Sequence, residues 1–330
     1  MISKEIIAQL KESKNLLAFS AGVDSSALFF LLIEHNIAFD IAIVNYGIRE
    51  QAKEELNYAK ELATKYSKEL FSTDAPSFNS NFEANARTFR YTFFRKIMRK
   101  YEYTTLLTAH QLNDNLEWLL MRLSQGSGVE GLSGMQLIEP KEEYRVVRPL
   151  LQHTKEELLT YLEKKSIQYY IDETNFDKHH LRNQFRPIVE QLLEKPKSGY
   201  LKTLSLLQSE KELIHSNFKL LLQEQELSIM WLRDKRYLPY ALSQRLKELG
   251  YLLSGKERLN IKNSMVVGRK WAVEYQAPYL YIAPYMQTPV SKAKKEEYRK
   301  ARIPAKIRGY LYSTKISLDE GLALKAEDLQ

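Results

Sequence analysis

Seven residues, Ser20-Ala21-Gly22-Val23-Asp24-Ser25-Ser26, combine small side chains, three hydroxyls and one carboxylate between two apolar runs, residues 16–19 and 27–33. A strand-then-helix reading of those runs puts the seven in the connecting turn. A glycine there permits backbone conformations that a side chain blocks. Successive amides in such a turn, together with a helix N-terminus, form a nest for an anion. Ser20, Ser25 and Ser26 add hydroxyl donors. Asp24 is the odd member, because a carboxylate repels phosphates unless a cation lies between them. A magnesium-bridged nucleotide removes that conflict, with Asp24 as the metal contact. The turn holds no lysine, so it is not the Gly-rich loop that ends in Lys-Ser/Thr. The same residues also suit a Ser/Asp helix cap with no ligand at all. Pattern alone leaves both readings open.

A second polar group is His110, Asp114 and Glu117. On a helix, Asp114 and Glu117 are three apart and share a face. His110 joins them if that helix starts early enough. The alternative is a helix start rich in polar caps. Glu83 and Arg87 are one helical turn apart, which suits either a surface pair or the rim of a site. Arg148, before Pro149, is a candidate loop anchor. Asp172, Asn175, Arg182, Asn183 and Arg186 follow no simple amphipathic period. They suit a loop that shapes a substrate entrance, or a solvated loop with a charged helix.

These groups need elements to position them. Strand-like runs at residues 16–19, 39–44, 70–71 and 103–107 alternate with helical patterns at 27–33, 50–66, 83–101 and 113–123. Such alternation implies parallel βαβ units. Right-handed crossovers with helices on both faces give an α/β fold, a doubly wound parallel sheet. Gly126, Gly128, Gly131 and Gly134 then mark a flexible or tightly turned segment that either closes over a ligand or simply connects. A helix is expected over 154–165. Pro187 and the Pro196-Lys197-Ser198-Gly199 segment bracket a short helical piece. The first domain is expected to span 1–193. Residues 194–232 read as a helical connector, with a long helix over 200–232. A smaller C-terminal domain, 233–330, carries short strand-like runs at 265–267 and 279–282.

The chain has 330 residues and no cysteine, which excludes disulfides, thiolate metal sites, iron–sulfur clusters and thiol catalysis. The longest apolar run is too short to cross a bilayer, and the N-terminus carries no secretory pattern. A cytoplasmic location with no membrane partner is the expectation. The formal net charge of +8 favours a polyanionic partner. Between residues 291 and 310 the basic side chains Lys292, Lys294, Lys295, Arg299, Lys300, Arg302, Lys306 and Arg308 face only Glu296 and Glu297. Tyr298, Tyr310 and Tyr312 lie within or beside that run. The combination suits RNA backbone contact with base stacking, or a solvated lysine-rich helix.

The Ser20–Ser26 turn resembles the Ser-Gly-Gly-x-Asp-Ser pyrophosphate-binding signature of the N-type ATP pyrophosphatases, with Ala21 at a usual glycine. Four more segments resemble the tRNA(Ile)-lysidine synthetase family within that superfamily. They are Val44-Asn45-Tyr46-Gly47-Ile48-Arg49; Asn81 to Arg87 with Arg90-Tyr91; Ala109 to Glu117; and Asp172-Glu173-Thr174-Asn175 with Arg182 to Arg186. Tyr46 stands where that family has histidine, and Gln111 and Trp118 also depart from its pattern. The segments fall in the family's order across about the first 190 residues.

The resemblance implies an adenine nucleotide alpha hydrolase-like fold with a C-terminal accessory domain contacting tRNA. It implies ATP and Mg2+ at Ser20, Ala21, Gly22, Val23, Asp24, Ser25, Ser26 and Asn45, with Asp24 on the metal. Catalytic roles are expected for Asp24, Arg87, His110, Asp114 and Glu117. RNA contacts are expected from Arg182, Arg186, Lys292, Lys294, Lys295, Arg299 and Arg302. The family joins the side-chain amine of free L-lysine to C2 of the wobble cytidine of a tRNA(Ile) with a CAU anticodon. ATP is split to AMP and pyrophosphate, an adenylated cytidine is the intermediate, and decoding changes from AUG to AUA. A homodimer is compatible with this reading. Three alternatives are a base-thiolating relative, an ammonia-using ligase and a non-catalytic RNA-binding protein with a decayed nucleotide domain. The lack of cysteine disfavours the first; the basic tail and the Asp114/Glu117 pair disfavour the second; retention of Asp24, His110, Asp114 and Glu117 disfavours the third.

Overall fold

The apolar run near residue 16 forms the middle of a sheet because it is buried on both sides. In the computed structural model, which describes residues 1–47, 51–78, 82–171 and 181–316, the chain divides into Met1–Gln208 and Ser209–Gln330. The first unit opens with α1 (Lys4–Lys11), β1 (Asn15–Ala18), α2 (Val23–Glu34), β2 (Phe39–Asn45), α3 (Gln51–Lys65) and β3 (Leu70–Asp74). It continues with α4 (Phe82–Lys100), β4 (Thr105–Leu107), α5 (Leu112–Ser124), α6 (Val129–Leu132), β5 (Ile138–Pro140), β6 (Arg145–Val147), α7 (Lys155–Lys164) and α8 (Leu181–Leu193). The helix α9 (Ser198–His215) spans the division between the units.

Among the described residues the first sheet has the order β3-β2-β1-β4-β6-β5. Five strands run parallel, and β5 pairs antiparallel with β6 at the edge. Side chains alternate between the faces, as the two-residue period of a strand requires. Leu17, Ile41 and Leu107 join α1, α2, α3 and α7 on one face. Leu16, Ala42 and Leu106 join α4 on the other. The chain leaves β1 toward β2 on one side and returns to β4 on the other. The β1/β4 boundary is therefore the switch point where ligands of such sheets bind, at the strand C-terminal ends.

The second unit contains β7 (Phe218–Glu224), β8 (Leu227–Leu232), α10 (Leu238–Glu248), α11 (Gly255–Leu259), β9 (Ser264–Val267), β10 (Trp271–Gln276), β11 (Tyr279–Pro284), α12 (Lys292–Lys300) and α13 (Arg308–Thr314). Its strands form an antiparallel sheet in the order β7-β8-β11-β10-β9. Leu238, Leu242 and Leu246 of α10 pack on one face around Trp271, and Tyr298, Tyr310 and Leu311 of α12 and α13 pack on the other.

Two expectations change and one open reading is decided. Residues 200–232 are not one helix: α9 ends at His215, and residues 218–232 form the β7–β8 hairpin. Gln225, with φ +51°, makes the turn. Leu227, Ser228, Ile229 and Met230 are buried in succession, so β8 lacks the one-sided pattern that separates a strand from a buried helix. The reading of 194–232 as a helical connector gives way to a division within α9. Pro187 lies inside α8 rather than at a helix end. It forgoes one intrahelical bond, while Val189 two residues on is packed against Leu112 and Leu116 of α5. Of the two readings of the glycine-bearing segment 126–134, flexible or tightly turned, the structure shows the second. Asn115 Oδ1 accepts from Met135 N–H (2.8 Å), Trp118 Nε1 donates to the Gly131 carbonyl (3.1 Å), and Gln208 Nε2 donates to the Met135 carbonyl (2.9 Å). Gly134 has φ +69°, and a Cβ there would lie 2.3 Å from Asn115 Oδ1.

Candidate active site

The turn after β1 does not cap its helix with a side chain. Gly22 is the N-cap of α2, and no side chain caps the first turn. The serine hydroxyls instead stabilise the turn itself. Ser25 Oγ accepts from Ser20 N–H (3.2 Å) and donates to the Gly22 carbonyl (3.2 Å), and Ser20 Oγ lies 3.1 Å from Ser25 Oγ. Ser26 is fully buried and its Oγ has no partner. Ala21 has φ +56°, in the left-handed region where glycine is at ease. Its carbonyl accepts from Tyr170 N–H (2.9 Å), which ties the turn to the segment leading toward α8. Asp24, in the first turn of α2, has a buried Oδ1 with no hydrogen bond. Removal from water, then the negative charges of Asp114 and Glu117, push its carboxyl up to about 7 against the opposing pull of Lys155 and Arg182.

Asp114 and Glu117 face Asp24 from α5. Gln111 caps that helix: its Oε1 accepts from Asn113 N–H (2.6 Å), while Asp114 Oδ2 accepts from Gln111 N–H (2.9 Å). His110 therefore precedes the helix and does not share its face. Its Nδ1 lies 3.0 Å from Thr108 Oγ1. Loss of hydration lowers the imidazole to about 4, helped by the charges of Arg148, Arg182 and Arg87 and opposed by Asp114, so the ring is neutral near pH 7. Arg148 is buried; its guanidinium donates to the Gln136 carbonyl (2.8 Å) and to Glu139 Oε2 (2.7 Å).

A cleft of about 130 Å³ is lined by Asp24, Gln111, Asn113, Asp114, Glu117, Lys155, Arg182, Arg186 and Glu190. Arg182 and Arg186, expected on RNA, project from α8 into this cleft. Arg182 bonds Asp114 through Nη2 and Glu117 Oε2 through Nε (2.5 Å). Arg186 Nε reaches Glu117 Oε1 at 3.4 Å. Glu117 is almost wholly buried, and its charge is answered by two guanidiniums. Among the described residues no three His, Asp or Glu side chains gather as a metal site.

The remaining expected residues lie elsewhere. Asn45 is outside the cleft lining; its amide donates to Asp74 Oδ1 (2.7 Å) and its Oδ1 accepts from Gly47 N–H (2.9 Å). Arg87 is exposed and stacks over Tyr91 at 4.8 Å. Arg49, Asn81, Asp172 and Asn175 lie outside the described residues. On α12, Lys292, Lys295 and Arg299 are exposed, as is Arg302 beyond it; Lys294 pairs with Glu297, and Arg299 with Glu296 at 3.0 Å. Tyr298 and Tyr310 are not available for base stacking, because both are buried in the core under α12 and α13. Tyr312 is the exposed member of that trio. Sequence reasoning missed Lys155, Asn113 and Glu190. Lys155 hides inside a helix-capping segment, and no spacing rule marked it.

Residues 2–193 match the PP-loop domain family. The chain is 43% identical to a tRNA(Ile)-lysidine synthase of Wolinella succinogenes, covering 92% of this chain and 94% of that protein. It is 38% identical to the Campylobacter jejuni protein of the same name, covering 96% and 98%. A Helicobacter pylori protein of that name is 35% identical over 94% and 93%. Among solved structures, a U34-tRNA thiolase from Methanococcus maripaludis superposes with a TM-score of 0.51 at 17% identity, covering 62% of this chain and 78% of that one, a likeness of fold alone. No helix among the described residues is long and apolar enough to cross a membrane. Identity at this level runs nearly end to end, beyond the PP-loop domain and through the antiparallel unit, and it makes the chain a member of the tRNA(Ile)-lysidine synthase family.

Proposed function

We propose that the chain uses ATP to join free L-lysine to C2 of the wobble cytidine of a CAU-bearing tRNA(Ile), in the cytoplasm, by way of an adenylated cytidine. One observation carries the reading: a single cleft sets the uncapped head of α2, with the unpartnered Asp24 carboxylate, opposite the carboxylates Asp114 and Glu117. The α2 head and the turn amides take the phosphates of ATP. Asp24, whose buried Oδ1 has no hydrogen bond, is the residue that would hold a magnesium ion beside those phosphates. Such an ion would supply charge neutralisation on the phosphate chain.

The cytosine O2 attacks the α-phosphorus, and the bond to the bridging oxygen breaks. Pyrophosphate leaves with that electron pair. The ring becomes a delocalised cation activated at C2. The lysine amine, protonated near neutral pH because its free pKa is about 10.4, sheds a proton before it attacks C2, and AMP departs with the C2–O bond pair. Asp114 and Glu117 suit the ammonium, and one of them accepts its proton. Arg182 and Arg186 balance those carboxylates and yield part of that contact when the amine enters. Neutral His110 offers a hydrogen bond without adding charge. Arg87 serves phosphate from the rim, and Lys292, Lys295, Arg299 and Arg302 serve the tRNA backbone. A thiolating reading has no cysteine to carry sulfur.

The test is direct. Purified protein is given ATP, magnesium, labelled lysine and tRNA(Ile) bearing CAU. Label should enter the tRNA with one AMP and one pyrophosphate formed per lysine. Folded protein that incorporates none sinks the proposal.

A further inference from the structure

Among the described residues three cations line the cleft, and they are not equivalent. Arg182 is engaged by Asp114 and Glu117, and Arg186 by Glu117. Among the described residues no carboxylate lies within ion-pair distance of Lys155, although the residue lines the same cleft. Across from it the buried Oδ1 of Asp24 has no hydrogen bond. Two opposite charges thus face one space without bonding each other. A group bearing both negative oxygens and a cation fills such a space, and a magnesium-bound phosphate chain has that composition.

The backbone explains why Lys155 is held there. It is the first residue of α7, and its N–H donates to Asn113 Oδ1 at the head of α5 (3.1 Å). Leu112 N–H donates to the His153 carbonyl (2.8 Å). Thr154 and Glu157 close a capping box around it, with Thr154 N–H on Glu157 Oε2 at 2.7 Å. Every one of these bonds uses the main chain or a neighbour. The Lys155 ammonium contributes to none, so the fold fixes its root and leaves its tip to the cleft.

We infer that Lys155 is a further catalytic residue, whose ammonium contacts the phosphate chain of ATP and takes up the charge that develops as pyrophosphate leaves. The inference rests on the adenylation reading above. When the α-phosphorus–oxygen bond breaks, its electron pair stays on the departing pyrophosphate. Among the described residues four lining carboxylates, Asp24, Asp114, Glu117 and Glu190, oppose that added charge. Arg182 and Arg186 are occupied with two of them. Among the described lining residues, Lys155 is the cation left to answer it. Removing one preorganised donor of this kind costs about 10²–10³-fold in rate.

The experiment compares wild type, Lys155→Met and Lys155→Arg in two assays. The first follows pyrophosphate release from ATP with tRNA(Ile) and no lysine. The second measures binding of magnesium pyrophosphate to the free enzyme. Lys155→Met should slow release about 100-fold or more and weaken pyrophosphate at least about tenfold. Its melting temperature and tRNA affinity should stay at wild-type values, because none of the anchoring bonds uses the Lys155 side chain. Lys155→Arg should recover most of the pyrophosphate affinity. Wild-type release by Lys155→Met, with only the KM for lysine raised, overturns the inference and assigns the residue to the lysine carboxylate. A wild-type enzyme that releases no pyrophosphate brings down the adenylation reading, and the pyrophosphate-binding comparison then still decides Lys155. Equal pyrophosphate binding by wild type and Lys155→Met overturns it.

Discussion

Replacing Ala21 by glycine measures what the phosphate turn costs the fold. Ala21 sits at φ +56°, and the left-handed region costs a residue with a Cβ about 1–2 kcal/mol. Glycine removes that strain. Two effects oppose the gain. The Ala21 methyl is fully buried, and losing one buried carbon costs about 0.8 kcal/mol. Glycine also frees the unfolded chain, worth about 0.5–1 kcal/mol. The terms nearly cancel, so Ala21→Gly should shift stability by less than about 1 kcal/mol in either direction. Urea unfolding read by linear extrapolation is the assay. Ala21→Val is the companion, because it keeps the strain and adds volume to a closed site; it should lose about 2 kcal/mol or more. Pyrophosphate release should survive Ala21→Gly, since the Tyr170-to-Ala21 main-chain bond of 2.9 Å needs no side chain. A loss above about 2 kcal/mol on Ala21→Gly refutes the strain account and makes the methyl a packing keystone.

Other perturbations address the cleft charges and the basic helix. Arg182→Ala leaves the buried Glu117 with Arg186 at 3.4 Å; breaking a buried pair costs about 3–5 kcal/mol, and the partly exposed guanidinium brings the expected loss to about 1–3. Weaker tRNA binding with unchanged urea stability would instead place Arg182 on RNA. In metal-free protein, His110 is lowered from 6.5 to about 4, so its stabilisation is full above pH 6.5 and about 3 kcal/mol is lost as pH falls to 4. Asp24 is raised from 3.8 to about 7, so its contribution is full below pH 3.8 and about 4 kcal/mol is lost as pH rises to 7. The two slopes oppose each other between pH 4 and 6.5. Wild-type stability should be nearly flat there, His110→Asn should gain stability on acidification, and Asp24→Asn should lose it; identical slopes in all three proteins contradict the assignment. Replacing Lys294, Lys295 and Arg299 together with alanine should weaken tRNA binding and flatten its dependence on salt, while an unchanged salt slope places the RNA path elsewhere.

The parts of the site that were legible in the sequence are the local ones. Ser20–Ser26 announces itself because turn, hydroxyls and carboxylate are contiguous. Asp114 and Glu117 declare a shared face because helical spacing alone decides it, and both do line the cleft. Arg182 is separated from Asp114 by 68 residues, so its ion pair is a product of α8 docking on α5 and of nothing near it in the chain. Lys155 looks like any lysine after a threonine cap. The tyrosines of the basic run misled for a related reason. Charge density is visible in a sequence, whereas the phase that turns Tyr298 inward depends on the sheet beneath α12. The β7–β8 hairpin was hidden because β8 is buried on both faces and so shows no alternation.

The switch point between β1 and β4 presents two helix heads to one cleft, and they differ in a way that assigns their ligands. At α2 no side chain answers the first-turn amides, so the positive end of the helix is open to an anion. At α5 the Gln111–Asp114 capping box already answers them. The same Asp114, with Glu117 one turn on, then presents negative charge where an uncapped helix would present positive. On the proposed function, phosphates fall on the β1–α2 side and an ammonium on the β4–α5 side, with Asp24 and Lys155 both lining the cleft they share. Pairing with Arg182 and Arg186 compensates the Asp114 and Glu117 carboxylates. Under the proposed lysine ligation, that arrangement would favour nucleotide activation before amine attack. In the proposed reaction a bound ammonium would replace guanidinium at Asp114 and Glu117, and the arginines it released would add positive charge beside the phosphate that becomes AMP, the group that must leave next.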